Sequence, residues 1–414
     1  MPDTLSALAE QVRAEITPQT EVFAAVAREN TRRVLDAFAR HRVSDTHFAG
    51  TTGYGYDDTG RETLDAVFAD LMGTEDALVR IQFVNGTHAI ACALFGALSP
   101  GDVLLSAMGT PYDTLRGVIG LSDAPLFGSL AHYGVGFAQV DTAADGGPDW
   151  DGLRMALRAH NPAAVFVQRS RGYAARRALS VDDIAQITAL TKQECTRAVV
   201  VVDNCYGEFV EAREPGHAGA DLVAGSLIKN PGGGLALTGG YVAGRRDLVE
   251  RAAARLTAPG IGRHCGATLG QNRVLFQGLY LAPHTVSQAL MTAAFCAGLM
   301  EKLGYIADPG PLEERRDIIQ RIRFGAPEPL LRFCQGLQAV SPVDSFAAPE
   351  PWDMPGYDCP VVMAAGAFIQ GASIELSCDA PMREPFDAFL QGGLTYEAGQ
   401  AGVLSAAQAL MKDV

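Results

Sequence analysis

The sequence predicts an α/β protein, with a large domain whose mostly parallel sheet is flanked by helices and a smaller α+β C-terminal domain. Three observations predict this. Short β-branched runs such as Val199 to Val202 are continuous rather than alternating, as strands buried on both faces of a parallel sheet require. Such runs alternate with helical segments, the pattern of repeated βα units. From about Gly304 the texture changes to Pro and Gly between short apolar runs, which marks a second lobe. At 414 residues the chain exceeds one ordinary core. We divide it into an N-terminal helical arm (1–50), a large domain (51–303) and a small C-terminal domain (304–414).

The arm is amphipathic. Leu5, Leu8, Val12 and Ile16 recur at helical spacing, and Val22, Val26, Val34 and Phe38 do so again after Pro18. A Gly, Thr and Tyr-rich loop, HFAGTTGYGYDDTGRETLD, precedes a helix from Arg61 to Met72 with Gly73 as its C-cap. A strand at Ala77–Val84 leads through Asn85-Gly86-Thr87-His88 into an apolar helix reaching Leu98. Then come strands at Gly101–Ser106, Gly136–Val140 and Ala163–Val167, with helices at Trp150–His160 and Val181–Leu190. The central strand Val199–Val202 and a second run, Ala220–Ile228, follow; the strand Tyr241–Gly244 and the helix Asp247–Leu256 close the large domain. A long helical pattern spans Thr268 to Leu303 with an interruption at Pro283. In the last lobe, Pro349-Glu-Pro-Trp-Asp-Met-Pro-Gly356 precedes candidate strands Val361–Ala364 and Ile374–Ser377, and a helix starts at about Leu394.

Composition narrows the function. Hydrophobic residues make up 48% and charged residues 19%, typical of a packed globular chain. A formal charge of −14 with no basic cluster argues against nucleic acid and anionic membrane as partners. No apolar run reaches the roughly 18 residues of a spanning helix, and the acidic start is not a secretory signal. The eight cysteines are scattered singly, so neither a zinc site nor a disulfide framework is expected, and a reducing cytoplasm is. No metal is expected.

The chemistry concentrates between Val199 and Gly240. Asp203 ends the valine strand, and Lys229 follows the second apolar run into Asn-Pro-Gly-Gly-Gly. Ligands of open parallel sheets sit at strand carboxyl ends, so these two side chains can share one crevice. A lysine to hold an aldehyde cofactor as a Schiff base and a carboxylate on its ring nitrogen are what pyridoxal phosphate requires. Alone, each also reads as a cap or a solvated loop residue. Ser226 can donate to the phosphate. Gly86 and Thr87, at a strand-to-helix turn, suit the same phosphate, or form an ordinary turn capped by Asn85. Tyr112 lies just past a strand end, where it can stack on a pyridine ring and move protons, or simply pack. Arg171, beside another strand end, suits a carboxylate or phosphate.

Together these residues resemble the fold-type I pyridoxal phosphate enzymes of cysteine and methionine metabolism, in the methionine γ-lyase-like or aluminium-resistance branch. The motifs that carry the resemblance include HFAGTTGYGYDDTGRETLD, PYDTL, QRSRGY, VDNCYGEF, AGSLIKNPGGG, PEPWDMPGY and QGGLTYE, spread over nearly the whole chain. The resemblance implies an aspartate aminotransferase-like fold. It also implies a Schiff base at Lys229, Asp203 on the pyridine nitrogen, Tyr112 on the ring, and Gly86, Thr87 and Ser226 on the phosphate. Tyr56 and Arg61 would reach the phosphate from a neighbouring subunit, making a homodimer the smallest active unit and a homotetramer the expected assembly. Where relatives carry an arginine for the substrate carboxylate this chain reads Ile374-Glu375-Leu376-Ser377, leaving Arg171 and Arg383 as candidates. The expected reaction is γ-elimination from an amino acid, with loss of halide from a γ-chlorinated allylglycine, giving propargylglycine, as one variant. Cystathionine β-lyase-type β-elimination and amino-group transfer are the alternatives. A non-enzymatic metal-tolerance role finds no ligand cluster in the sequence.

Overall fold

The computed structural model describes residues 2–121, 126–354 and 357–411; Pro355 and Gly356 of the PEPWDMPGY motif thus lie outside the described residues. Seven strands form the first sheet: β1 (Asp76–Arg80), β2 (Val103–Ser106), β3 (Gly136–Gln139), β4 (Ala164–Gln168), β5 (Val199–Asp203), β6 (Leu222–Ser226) and β7 (Gly240–Gly244). Their order is β1-β7-β6-β5-β4-β2-β3, with β3, β2, β4, β5 and β6 parallel and β7 antiparallel to both its neighbours. Every residue of β4, β5 and β6 is buried, as their unbroken apolar composition requires.

Helices α1 (Pro2–Glu15), α2 (Thr17–Arg40), α3 (Thr59–Met72), α4 (Gly86–Ala97), α5 (Asp113–Ile119), α6 (Trp150–His160), α7 (Val181–Glu194) and α8 (Arg246–Leu256) accompany this sheet. Two apolar clusters cover it. The larger joins the arm to α3, α7 and the sheet, and the smaller packs α4 and α8 on the other face. Caps fix several helix starts: Asp58, Asn85, Asp149 and Ser180 each accept a backbone N–H of the first turn. Gly73 ends α3 in the left-handed region, as its sequence position predicts.

Helix α9 (Asn272–Lys302) leads into the second lobe. It runs unbroken through Pro283, against the expected interruption, because its neighbours α2 and the terminal α11 (Tyr396–Leu410) bury it along most of its length. A five-stranded antiparallel sheet follows, ordered β10-β11-β12-β9-β8, from β8 (Ile306–Asp308), β9 (Gln320–Arg323), β10 (Val361–Ala364), β11 (Ser377–Pro381) and β12 (Asp387–Gln391), with α9 and α10 (Pro327–Gln338) packed on it and α11 packed on those two helices. The expected strand Ile374–Ser377 is displaced: Ile374 to Leu376 form a turn and the strand begins at Ser377. Among the described residues no helix is long and apolar enough to cross a membrane.

Candidate active site

Three adjacent parallel strands end in polar side chains at the same sheet edge. Asp203 closes β5 in register with Gln168, which closes β4, and Ser226 closes β6. Helix α4 aims its first turn at the same place, with Asn85 as its cap accepting from the His88 N–H at 2.9 Å. A cavity of about 400 Å³ opens there, lined by Gly86, Thr87, Tyr112, Asp203, Ser226 and Lys229 among others. The six residues singled out for the cofactor within one chain therefore meet at one point.

Lys229 leaves the sheet three residues after Ser226, just before a short 3₁₀ turn, Asn230–Gly232. Its Nζ lies 3.6 Å from the ring centre of Tyr206. Burial opposes its charge, but Tyr206, Cys205 and Asp203 outweigh burial and hold the ammonium above the usual lysine range. Burial pushes the Asp203 carboxyl up, against the pull of Lys229, the Cys205 N–H that donates to it at 3.0 Å, and Arg176. Tyr112 and Thr87 hydroxyls lie 3.2 Å apart, and the Thr87 hydroxyl is as far from that of Thr114. Burial, reinforced by Asp203, keeps the Tyr112 phenol protonated well above its ordinary range.

Two observations point to an anionic occupant. The Ser226 hydroxyl is buried and has no hydrogen-bond partner. Gly86 stands so close that a Cβ there would lie 3.1 Å from Ser226 Cβ and 3.2 Å from Cys205 Sγ. An unpaired hydroxyl beside a capped helix N-terminus is a ready phosphate site.

The other predicted residues do not reach this cavity within one chain. The guanidinium of Arg61 is buried and donates to the carbonyls of Gly55 and Gly266, both at 2.6 Å, so it fixes the loop rather than presenting itself. Tyr56, 58% exposed and stacked on Tyr54 with ring centres 5.4 Å apart, is carried outward by that loop. Arg171 is likewise committed: its terminal nitrogens hold Asp308 at 2.9 and 3.2 Å. With Arg383, whose Nη1 lies 2.7 Å from Asp358, it lines an adjoining cavity instead.

Tyr206, Cys205, Gln168 and Tyr173, which are absent from the residues expected for the site, also line the lysine's cavity. The strand-end rule that found Asp203 applies equally to Gln168. Tyr206 carries no such signal, because its place depends on a left-handed backbone, with φ of 71°. Among the described residues no group of three or more His, Cys, Asp or Glu is placed to hold a metal.

The chain is 47% identical over 412 residues to the Bacillus subtilis protein YnbB, covering 99% of this chain and 97% of that one. A solved structure from Clostridium novyi NT, described as a carbon-sulfur lyase involved in aluminum resistance, superposes with a TM-score of 0.94 at 48% identity, covering 98% of this chain and 95% of the other. The pyridoxal-5'-phosphate-dependent protein YhfS of Escherichia coli shares the fold alone, with a TM-score of 0.63 at 19% identity over 92% of this chain and 96% of that one. Pyridoxal 5'-phosphate is the cofactor that the family match implies, and the donors present fit it: a half-buried lysine, a buried carboxylate and an unpartnered hydroxyl beside a helix N-terminus. The model of the methionine gamma-lyase family matches residues 5–411, and the chain belongs to that family of fold-type I, pyridoxal-phosphate-dependent lyases.

Proposed function

We propose that this protein catalyses γ-elimination on an amino acid, with Lys229 as the residue that binds the cofactor covalently and moves the substrate's α-proton. The observation that carries the reading is the convergence of Lys229, Asp203 and the unpartnered Ser226 hydroxyl on one cavity. When bound, pyridoxal phosphate supplies an electron sink that makes protons near the amino-bearing carbon acidic. Asp203 keeps the ring nitrogen protonated. Ser226, Gly86 and Thr87 hold the phosphate, and Tyr112 covers the ring with its hydroxyl kept as a donor. Arg383 receives the substrate carboxylate, since its pair with Asp358 is solvent-exposed and therefore weak, whereas Arg171 is already spent.

The active unit in this reading is a homodimer in which the exposed Tyr56 completes the phosphate site of a second copy, with Arg61 bracing the loop that carries it. Mixing inactive Tyr56→Ala and Lys229→Ala chains is expected to restore activity through hybrids with one intact site. No recovery after verified subunit exchange would refute the shared site.

Purified protein is expected to absorb in the visible as a lysine-bound cofactor does, and Lys229→Ala to lose that band. A retained covalent band in the variant would overturn the assignment. Methionine, homocysteine, cystathionine and γ-chloroallylglycine separate the chemistries: a four-carbon keto acid marks γ-elimination of a thiol, propargylglycine marks loss of halide, and pyruvate from cystathionine marks β-elimination.

A further inference from the structure

A second, smaller chamber of about 180 Å³ lies against Lys229 on the side of the five-stranded sheet, and Tyr173, Tyr206, Asp379 and Gln391 are among the residues that line it. Tyr173 borders this chamber, the lysine's cavity and the adjoining arginine-lined cavity, so it stands where all three meet. Its ring packs between Phe389 and Tyr357, with centres 5.3 and 6.1 Å away. Its hydroxyl donates to Asp379 Oδ2 at 2.5 Å. The same oxygen accepts from Gln391 Nε2 at 2.7 Å, and the far side of that amide, Oε1, is buried without a partner. Asp379 is 6% exposed, and the Tyr173 and Gln391 groups that donate to it are both neutral. A buried carboxylate that accepts from neutral donors, one of them a tyrosine that lines the reaction cavity, is costly for stability alone.

We propose that Tyr173, positioned by Asp379, is a second proton-transfer residue of this site, serving the carbon next to the leaving group and then the leaving group itself. The inference rests on the γ-elimination reading, which requires a proton to be removed beyond the one that Lys229 takes. In the first half, a C–H bond of the substrate's β-carbon breaks. Its proton passes to the Tyr173 oxygen while the phenol's own proton moves to Asp379, and the electron pair stays on the substrate. In the second half, that pair expels the leaving group, whose bonding electrons depart with it. A departing sulfur takes the proton of Tyr173, which recovers its own from Asp379, so the pair ends as it began; a departing chloride leaves as the anion, and the pair gives its extra proton to water. Burial raises the Asp379 carboxyl above the ordinary aspartate range, against Tyr173, Gln391 and Lys229, which suits it to accept that proton. Lys229, Tyr173, Tyr357 and Cys378 are the titratable groups that sense it.

The test uses holoenzyme of Tyr173→Phe and Asp379→Asn with methionine, homocysteine, cystathionine and γ-chloroallylglycine in D₂O. Both variants are expected to keep the cofactor band and to exchange the α-hydrogen within about threefold of the parent. Exchange at the β-carbon and release of product are expected to fall about 100-fold, the scale of one lost acid–base group. Product release within threefold of the parent in Tyr173→Phe overturns the proposal, as does an equal fall of α- and β-exchange, which marks a structural role. A parent that binds no cofactor refutes the lyase reading instead. In the cofactor-free chain, infrared difference spectra between neutral and acidic pH are expected to contain a buried carboxyl band that Asp379→Asn removes; if that substitution removes none, Asp379 is not the acceptor.

Discussion

Glu208 lies beneath the turn that carries Lys229, fully buried, accepting from the Tyr241 hydroxyl at 2.9 Å while its second oxygen has no partner. Burial, reinforced by the neighbouring Glu214 carboxylate, pushes its carboxyl up to about 8 from an ordinary 4.5. The unfolded chain thus releases this proton at a lower pH than the folded one. The stabilisation from holding the proton is complete below about 4.5 and is lost as pH rises through about 8. Glu208→Gln keeps an oxygen for Tyr241 and removes the charge. It is expected to melt above the parent at pH of about 9, by on the order of a few kcal/mol, with the gain fading toward pH of about 5. Melting curves across that range check it, and a constant difference would refute the linkage. At this scale the sequence marked residues that line one cavity where strand ends announce them, as at Asp203, Ser226 and Lys229. It concealed Tyr206 and the Tyr173–Asp379 pair, which depend on loop backbone and on a strand distant in the chain.

Elements were legible in proportion to how strongly one pattern dominated them. Helix α6 is found with its expected bounds and β5 within one residue, since an amphipathic run and a valine run each admit one reading. Strand β12, Asp387–Gln391, went unread because its Asp, Ala, Phe, Leu and Gln carry no clear alternation although all are buried. Helix α9 shows how an element positions the site. A Cβ at Gly278 would lie 2.2 Å from the Gly232 carbonyl oxygen, and one at Gly233 would lie 2.3 Å from that of Gly278. The long helix therefore touches the turn after Lys229 backbone to backbone. Alanine normally favours a helix over glycine by about 1 kcal/mol. Gly278→Ala is nevertheless expected to destabilise by roughly 2 kcal/mol, through overpacking, and to lower activity by displacing Lys229. Denaturant unfolding and turnover measure the two effects, and a stabilised, active variant would show that the contact gives way.

At the scale of the whole molecule, the change in texture near Gly304 falls just before β8, where the second sheet starts, but no sequence pattern shows how the two sheets are held together. Arg171 follows β4 of the first sheet and reaches Asp308 at the end of β8 in the second, while its backbone N–H donates to Asp317 at 2.9 Å. Read as sequence, that arginine suits a substrate carboxylate, because a guanidinium after a strand end has the same chemistry in either role. Only the fold shows which carboxylate reaches it first. The two roles predict opposite signatures. Removing a buried partner usually costs about 3–5 kcal/mol, but Asp308 is partly exposed and keeps Arg321 at 2.8 Å, so Arg171→Ala is expected to cost roughly 2 kcal/mol. Arg383 pairs at the surface, so Arg383→Ala is expected to leave the melting temperature near that of the parent and to raise KM about tenfold, as loss of a substrate contact does. Thermal melts and steady-state kinetics on both variants decide between the roles. If Arg171→Ala raised KM without lowering stability, the arginine would belong to the substrate, and the join between the lobes would have to rest on Asp317 and the packing of α9.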